Sequence, residues 1–147
     1  MSRRGFTLLE LLIALCIFGV LGAIAAPAYR RALAGWRLSA AARQVVLDLK
    51  IARARAILDS ATHRVRFSAP GSSYQHERQR PSGTYEPTGP PTTLPADVSV
   101  IACTASGSGI SFRPRGNAGA FGSVSLGNSD GDLRAVIVDI VGRVRVQ

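Results

Sequence analysis

The chain has 147 residues, of which 18 are basic and 9 acidic, so its formal net charge at pH 7 is +9. This length leaves room for one membrane anchor and one small folded domain. The few histidines and cysteines, His63, His76, Cys16 and Cys103, form no metal-site spacing or catalytic constellation, so we predict neither an enzyme nor a cofactor. The charge predicts an anionic partner instead: nucleic acid, acidic lipid or an acidic protein surface.

The segment from Phe6 to Ala26 is apolar except for Thr7 and Glu10. Its length is about the 20 residues with which an α-helix crosses a hydrocarbon core. A secretory signal peptide is the alternative, since Ala23-Ile24-Ala25 offers a small-x-small cleavage site after the apolar run. The Glu10 carboxylate argues against that alternative. An ionised side chain in lipid costs free energy, so we expect it to have a functional role.

The residues before the apolar run form a very short basic leader. Arg3 and Arg4 precede Gly5, and Phe6 follows directly. By the positive-inside rule, the two arginines hold this end of the chain in the cytoplasm. The sequence therefore predicts a single-pass protein whose N-terminus is cytoplasmic.

The run Gly5-Phe6-Thr7-Leu8-Leu9-Glu10-Leu11-Leu12 resembles the N-terminal signal of type IV pilins and type II secretion pseudopilins. The resemblance implies that a prepilin peptidase cuts between Gly5 and Phe6 and N-methylates the Phe6 amine. It also implies that the Glu10 carboxylate pairs with the Phe6 amine of a neighbouring subunit, an attraction that is strong in a low-dielectric bundle. The implied location is the bacterial inner membrane, with a periplasmic C-terminal domain, and the filament tip after assembly. The implied partners are other pilins or pseudopilins.

A second helical pattern follows Pro27, which matches the pilin pattern of a bend where the helix leaves the membrane. Apolar residues recur there at alternating spacings of four and three, so they lie in one stripe. Arg43 and Lys50 fall on roughly the opposite side. We expect the stripe to cover a sheet and the basic side to face solvent or adjacent subunits. The stripe consists of Leu38, Ala42, Val45, Leu49, Ala52 and Ala56.

After Ser60 the sequence period changes to two. Val65 and Phe67 alternate with arginines, which predicts a first strand with the valine and the phenylalanine buried. The stretch at about 68–96 is rich in Pro, Gly, Ser and Thr and predicts a long surface loop. Further strands are predicted at Val98–Cys103, Ile110–Phe112, Gly122–Leu126, Leu133–Ile140 and Arg143–Val146.

The run Gly127-Asn128-Ser129-Asp130-Gly131-Asp132 predicts a hairpin connection between two of these strands. Its carboxylates and amide raise a calcium site as an alternative. The spacing does not complete an EF-hand loop, and no distal glutamate follows. We therefore predict a solvated turn and no metal.

One long N-terminal helix followed by a small antiparallel sheet is an α+β architecture, and it is that of the pilins. Three runs carry a closer resemblance: Ile110-Ser111-Phe112-Arg113-Pro114-Arg115-Gly116, Val136-Ile137-Val138 and Gly142-Arg143-Val144-Arg145-Val146. With them, the C-terminal half resembles the GspH/FimT family of minor pilins and pseudopilins. The chain lacks the paired C-terminal cysteines of many major pilins, which disfavours a shaft-forming subunit. The predicted organisation is a leader at 1–5, a transmembrane assembly helix at 6–28, its amphipathic continuation at 29–60 and a β-rich domain at 61–147.

The end of the chain predicts a DNA-binding strand. In the FimT-like branch a terminal Gly-Arg-x-Arg is associated with DNA binding during natural transformation, and Gly142, Arg143 and Arg145 match it. In a strand the two arginines share one face, about 6.6 Å apart, while Val144 and Val146 face the core. Two guanidinium groups on one face can grip successive phosphates of duplex DNA whatever its base sequence. Candidates to extend this surface are Arg113, Arg115 and Arg134.

An alternative reading of the same strand involves no DNA. Alternating arginine and valine also suits an edge strand whose charges oppose aggregation. The chain would then be an H-type minor pseudopilin of the type II secretion system, a structural subunit that binds other pseudopilins. The net charge of +9 favours the minor pilin that binds DNA.

Overall fold

The computed structural model describes residues 7–147, apart from the side chain of Ser106, and contains two compact units. The first unit ends at Leu33, and the second comprises Ala34–Gln147. The helix α1, Leu8–Leu58, begins in the first unit, ends in the second and includes Pro27. By length and composition α1 can cross a membrane, and from Leu8 to Tyr29 its large apolar side chains are exposed. Such exposure is expected of a segment whose solvent is lipid.

The second unit confirms the predicted α+β fold, with the strands arranged in two antiparallel sheets. The strands are β1 (His63–Phe67), β2 (Ser73–Gln79), β3 (Tyr85–Pro87), β4 (Thr92–Thr93), β5 (Val98–Cys103), β6 (Gly109–Phe112), β7 (Gly122–Asn128), β8 (Leu133–Val138) and β9 (Val144–Val146). Sheet A has the strand order β3-β2-β1-β6, with β4 also pairing with β2, and sheet B has the order β5-β7-β8-β9. A 3₁₀ turn, Ser106–Ser108, connects the sheets between β5 and β6.

The apolar stripe on the second part of α1 is buried as predicted. All six predicted residues are 0–1% exposed, and Ala34 and Ala41 extend the stripe. The stripe packs in one core with buried side chains from both sheets, most of them larger than alanine. Phe67 of β1, Phe112 of β6 and Leu126 of β7 are the largest contributors from their strands.

The predicted surface loop at about 68–96 is wrong, because this stretch contains β2, β3 and β4. Five residues of β2 pair with β1, and its side chains at Tyr74 and Glu77 are buried. The Glu77 carboxylate is compensated by an ion pair with Arg64, the residue opposite it on β1. A strand that buries a tyrosine and a paired glutamate shows no apolar alternation, so the sequence period conceals it.

A polar cluster joins α1 to sheet A next to the core. The Tyr74 hydroxyl donates a hydrogen bond to Asp48 Oδ2, and His76 Nε2 lies 3.7 Å from Asp48 Oδ1. Burial, with the hydrogen bond to Asp48, raises the pKa of Tyr74, so this hydroxyl stays protonated. Burial also lowers the pKa of His76 from its ordinary value of 6.5, and the Asp48 carboxylate offsets only part of that effect. The folded domain thus holds His76 neutral.

A brace holds two turns of the domain against α1. Arg53 Nε of α1 donates a hydrogen bond of 2.7 Å to the carbonyl oxygen of Gly116, in the turn after β6. Gly142, in the turn between β8 and β9, packs on that same oxygen so closely that a Cβ would overlap it. A further hydrogen bond of 3.1 Å, from the Ala118 amide to the Ile140 carbonyl, joins the same two turns. The brace therefore fixes where the last strand begins.

We expect the stability of the folded protein to fall with pH below about 6.5. Because the folded-state pKa of His76 is lowered, the unfolded chain gains this proton at a higher pH than the folded chain does, which favours unfolding as the pH drops. The melting temperature should therefore decrease between pH 7.5 and pH 5.5, a window set by the ordinary histidine pKa of about 6.5. His76→Gln should flatten this dependence, since glutamine is polar but takes up no proton in this pH range. Equal pH slopes for both proteins would show that His76 carries no such linkage.

Gly142→Ala should destabilise the domain more than Gly131→Ala does. Both glycines have positive φ, +85° and +88°, so alanine at either costs about 1–2 kcal/mol of backbone strain. Only at Gly142 does the new methyl group also overlap the Gly116 carbonyl, since nothing lies within 4 Å of a Cβ at Gly131. The free energy of unfolding, measured with urea on both variants, checks the difference. Equal losses would refute the brace as a close-packed contact.

Candidate functional site

The assembly signal lies partly within the described residues. Gly5 and Phe6, the predicted cleavage and methylation residues, fall outside them. Glu10 lies in the first turn of α1 and is exposed. Its amide donates a hydrogen bond of 3.2 Å to the hydroxyl oxygen of Thr7, so Thr7 caps the helix. The sequence analysis missed this role, although Thr-x-x-Glu before an apolar run is the signature of a capping box.

Arg143 and Arg145 lie at the outer edge of sheet B. Arg143 directly precedes β9, which pairs with β8, and Arg145 stands opposite Ile137. Both arginines are exposed and line one surface depression of about 230 Å³. The prediction that both alternating valines face the core is only half right. Val144 packs against the core, but Val146 is 43% exposed because β9 is an edge strand that ends there.

Gly142, the glycine of the Gly-Arg-x-Arg match, also has a structural role. It is buried, and its positive φ closes the turn in which its amide donates to the Asp139 carbonyl at 2.9 Å. The Asp139 carboxylate then accepts a hydrogen bond of 2.8 Å from the Arg143 amide. These contacts set the direction in which the chain leaves the turn, and so they position Arg143.

The structure brings Arg113 and Arg115 to the neighbourhood of this edge. They lie in the turn after β6, in which the Gly116 amide donates to the Arg113 carbonyl at 2.8 Å. This is the turn that the brace joins to Gly142, so the two basic turns are adjacent. Both side chains are exposed and line a separate depression of about 280 Å³.

Arg134 does not extend this surface, which corrects the prediction. Residues of β8 alternate between the two faces of sheet B, and Arg134 lies on the face of the buried Val136 and Val138. Arg145 pairs with Ile137 and so lies on the opposite face. Arg134 is exposed only because it is near the end of the sheet.

Without Arg134, four predicted arginines remain on this surface, and they have no acidic partner within residues 7–147. Ion pairs form elsewhere, for example between Arg80 and Glu86 at 2.6 Å. None involves the four arginines of the two adjacent turns and β9. We call these four the basic edge: Arg113, Arg115, Arg143 and Arg145. The brace residue Arg53, which supports this surface from beneath, gave no sequence signal because its partner is distant in the chain.

The side chain of Asn128 organises the hairpin turn between β7 and β8. Its Oδ1 accepts hydrogen bonds from the amides of Asp130 and Asp132, at 3.1 and 2.8 Å. Its Nδ2 donates to Asp132 Oδ2 at 3.0 Å. These bonds suit a solvated turn. No group of three or more potential metal ligands occurs in the described part of the chain.

Two families match the chain. Residues 1–26 match the prokaryotic N-terminal methylation motif, and residues 41–142 match the family described as type II transport protein GspH. No curated protein sequence matches it significantly.

Solved structures share the fold. The minor pseudopilin EpsH of the type 2 secretion system of Vibrio cholerae is similar with a TM-score of 0.63 at 12% identity, covering 76% of this chain and 96% of that one. The type IV minor pilin FimU of Pseudomonas aeruginosa is similar with a TM-score of 0.59 at 16% identity, covering 75% and 87%. The apolar N-terminal helix indicates anchoring in the inner membrane. The chain belongs to the GspH family of minor pilins and pseudopilins, structural subunits that assemble with other pilins in a filament.

Proposed function

We propose that this chain is a minor pilin of a type IV pilus-type filament that binds duplex DNA through Arg143 and Arg145, for DNA uptake in natural transformation. The observation that carries the proposal is the exposure of both arginines on one edge, without an acidic partner in residues 7–147. A chain of net charge +9 that leaves these guanidinium groups free suits an anionic polymer.

The geometry suits contact with phosphates. Arg143 and Arg145 are two residues apart at an edge strand, a separation of about 6.6 Å along an extended chain. This is close to the spacing of successive phosphates on one DNA strand, and each guanidinium can hold a phosphate with two hydrogen bonds. Arg113 and Arg115 would add phosphate contacts from the adjacent turn. Binding is then independent of base sequence and weakens steeply with salt.

The Asp139 carboxylate lines the depression of Arg143 and Arg145 and reduces its positive charge. One of its oxygens already accepts the Arg143 amide, so the carboxylate serves the turn. With four arginines against one aspartate, the surface stays positive. Asp139 therefore shapes the site without cancelling its attraction for DNA.

The second candidate is an H-type minor pseudopilin of the type II secretion system, without DNA binding. The description of the matched family, type II transport protein, favours it. In that case the basic edge would contact an acidic surface of another pseudopilin. DNA binding separates the two candidates.

For processing, we infer cleavage by a prepilin peptidase between Gly5 and Phe6 and methylation of the Phe6 amine. The match of residues 1–26 to the methylation motif supports this inference. The chain then sits in the inner membrane with its C-terminal domain in the periplasm until assembly places it at the filament tip. During assembly the Glu10 carboxylate pairs with the Phe6 amine of a neighbouring subunit.

The full chain, purified in a non-ionic detergent, should bind a short duplex with an affinity that falls linearly in a plot of log K against log salt. Arg143→Gln with Arg145→Gln should weaken binding at low salt and reduce the magnitude of the slope by about 2, since two phosphate contacts are lost. Fluorescence anisotropy over a salt series measures both quantities.

The matched control for this experiment is Arg43→Gln with Arg134→Gln. It removes the same charge from the outer side of α1 and from the other face of sheet B. The control should keep the wild-type slope. Absence of wild-type binding at low salt would exclude the DNA-binding pilin in favour of the pseudopilin. Equal losses in both double variants would exclude a specific role for the last strand.

Glu10→Gln should leave the protein cleaved and membrane-inserted but poorly incorporated into filaments, as should Glu10→Ala. In this variant the backbone amide of residue 10 still donates to Thr7, and glutamine, like glutamate, suits this position of a capping box. The substitution therefore removes only the negative charge, so its effect tests the ion pair and leaves the helix cap in place. Immunoblots of membrane and sheared-filament fractions measure incorporation. Glu10→Asp is the control, because it keeps the carboxylate and should retain part of the assembly. Normal incorporation of the glutamine variant would rule out charge pairing.

A further inference from the structure

The turn between β8 and β9 exposes two branched aliphatic side chains at its tip. Ile140 and Val141 are 63% and 62% exposed, although turn tips favour Gly, Asn, Asp, Ser and Pro. Neither side chain contributes to the core cluster. An exposed apolar pair at a position that suits polar residues indicates a contact made outside the folded domain.

The tip is held rigidly. The Gly142 amide donates to the Asp139 carbonyl at 2.9 Å, and the Asp139 amide donates to the Arg143 carbonyl at 3.1 Å. From outside the hairpin, the Ala118 amide binds the Ile140 carbonyl at 3.1 Å. Since β-branched side chains are also stiff at χ1, the tip loses little conformational freedom when it is bound.

The tip is continuous with the basic edge. Val141 is separated from Arg143 only by the buried Gly142, whose neighbour across the brace is Gly116, next to Arg115. A second exposed apolar side chain, Phe121 at 58%, directly precedes Gly122, which pairs with Val138 at the same end of sheet B. Arginines thus flank an apolar tip. The surroundings favour an occupant with both negative charge and apolar surface.

We propose that Ile140 and Val141 contact the bases of the bound duplex from its minor groove, while the flanking arginines hold its phosphates. The inference rests on the proposed DNA binding and adds to it a second contact that does not depend on charge. Short aliphatic side chains on a rigid support can wedge against a base step and bend the duplex without reading its sequence. The phosphates are charged and solvated, so they offer no apolar surface to the tip, whereas the bases do.

The test compares the wild type with Ile140→Ser/Val141→Ser, as full chains in non-ionic detergent, on a short mixed-sequence duplex. An apolar contact releases no counterions, so the variant should give a line of log K against log salt that is parallel to the wild-type line. Its affinity should be lower on the order of tenfold at every salt concentration. In a duplex labelled with dyes at both ends, energy transfer should rise when the wild type binds and rise less with the variant.

Leu133→Ser is the matched control, because Leu133 is also 63% exposed on β8 but lies at its other end. It should bind like the wild type, and unchanged melting temperatures should show that all three proteins are folded. A variant line that coincides with the wild-type line would overturn the proposal. A change of slope would also overturn it, because the tip would then act only by positioning Arg143.

Failure of this inference is distinguishable from failure of the proposed function. If the wild type does not bind the duplex at low salt, the DNA-binding function itself is wrong. If the wild type binds and the double serine variant binds equally well, only the base contact is wrong. Equal DNA binding together with reduced incorporation of the variant into filaments would assign the tip to a neighbouring subunit, which also overturns the proposal.

Discussion

The burial of one alanine-rich stripe of α1 is the constraint on which the rest of Ala34–Gln147 depends. The side chains of this stripe form one cluster with the buried side chains of both sheets, so one helix closes a core made from two sheets. Arg53 follows the buried Ala52 and reaches the Gly116 carbonyl from the edge of the stripe. Through Gly142, that contact fixes the turn before the last strand. The packing of the helix therefore determines where the basic edge stands.

Much of the fold could be predicted because most strands follow simple physical rules. Val98–Cys103 has the predicted bounds, and the other predicted strands differ only at their ends, because most of their buried side chains are apolar and alternate. The stretch before Val98 could not be predicted in this way. There β2 buries a tyrosine and a glutamate, whose partners Asp48 and Arg64 lie on other elements. Buried polar side chains find their hydrogen-bond and ion-pair partners on other elements, and a local sequence pattern cannot show such partners.

In the candidate site, too, some features follow from local sequence and others from tertiary contacts. The exposure of Arg143 and Arg145 follows from the alternation of one strand, so the sequence predicts it. The placement of Arg113 and Arg115 beside them follows from contacts between two turns, which only the folded chain shows. Arg134, in contrast, lies on the other face, since the register of β8 and β9 separates it from Arg145. Local patterns thus identify exposed charges, and tertiary contacts decide which of them form one surface.

The cap at the start of α1 bears on the maturation of the protein. Thr7 and Glu10, which form the first contact of the helix, both lie after the bond that we infer to be cleaved. Removal of the leader would therefore leave the N-cap of the helix intact, so its first turn need not unravel or shift in register. The new amine would belong to the residue directly before the cap. Processing would thus create a charged terminus on a helix whose end is already defined.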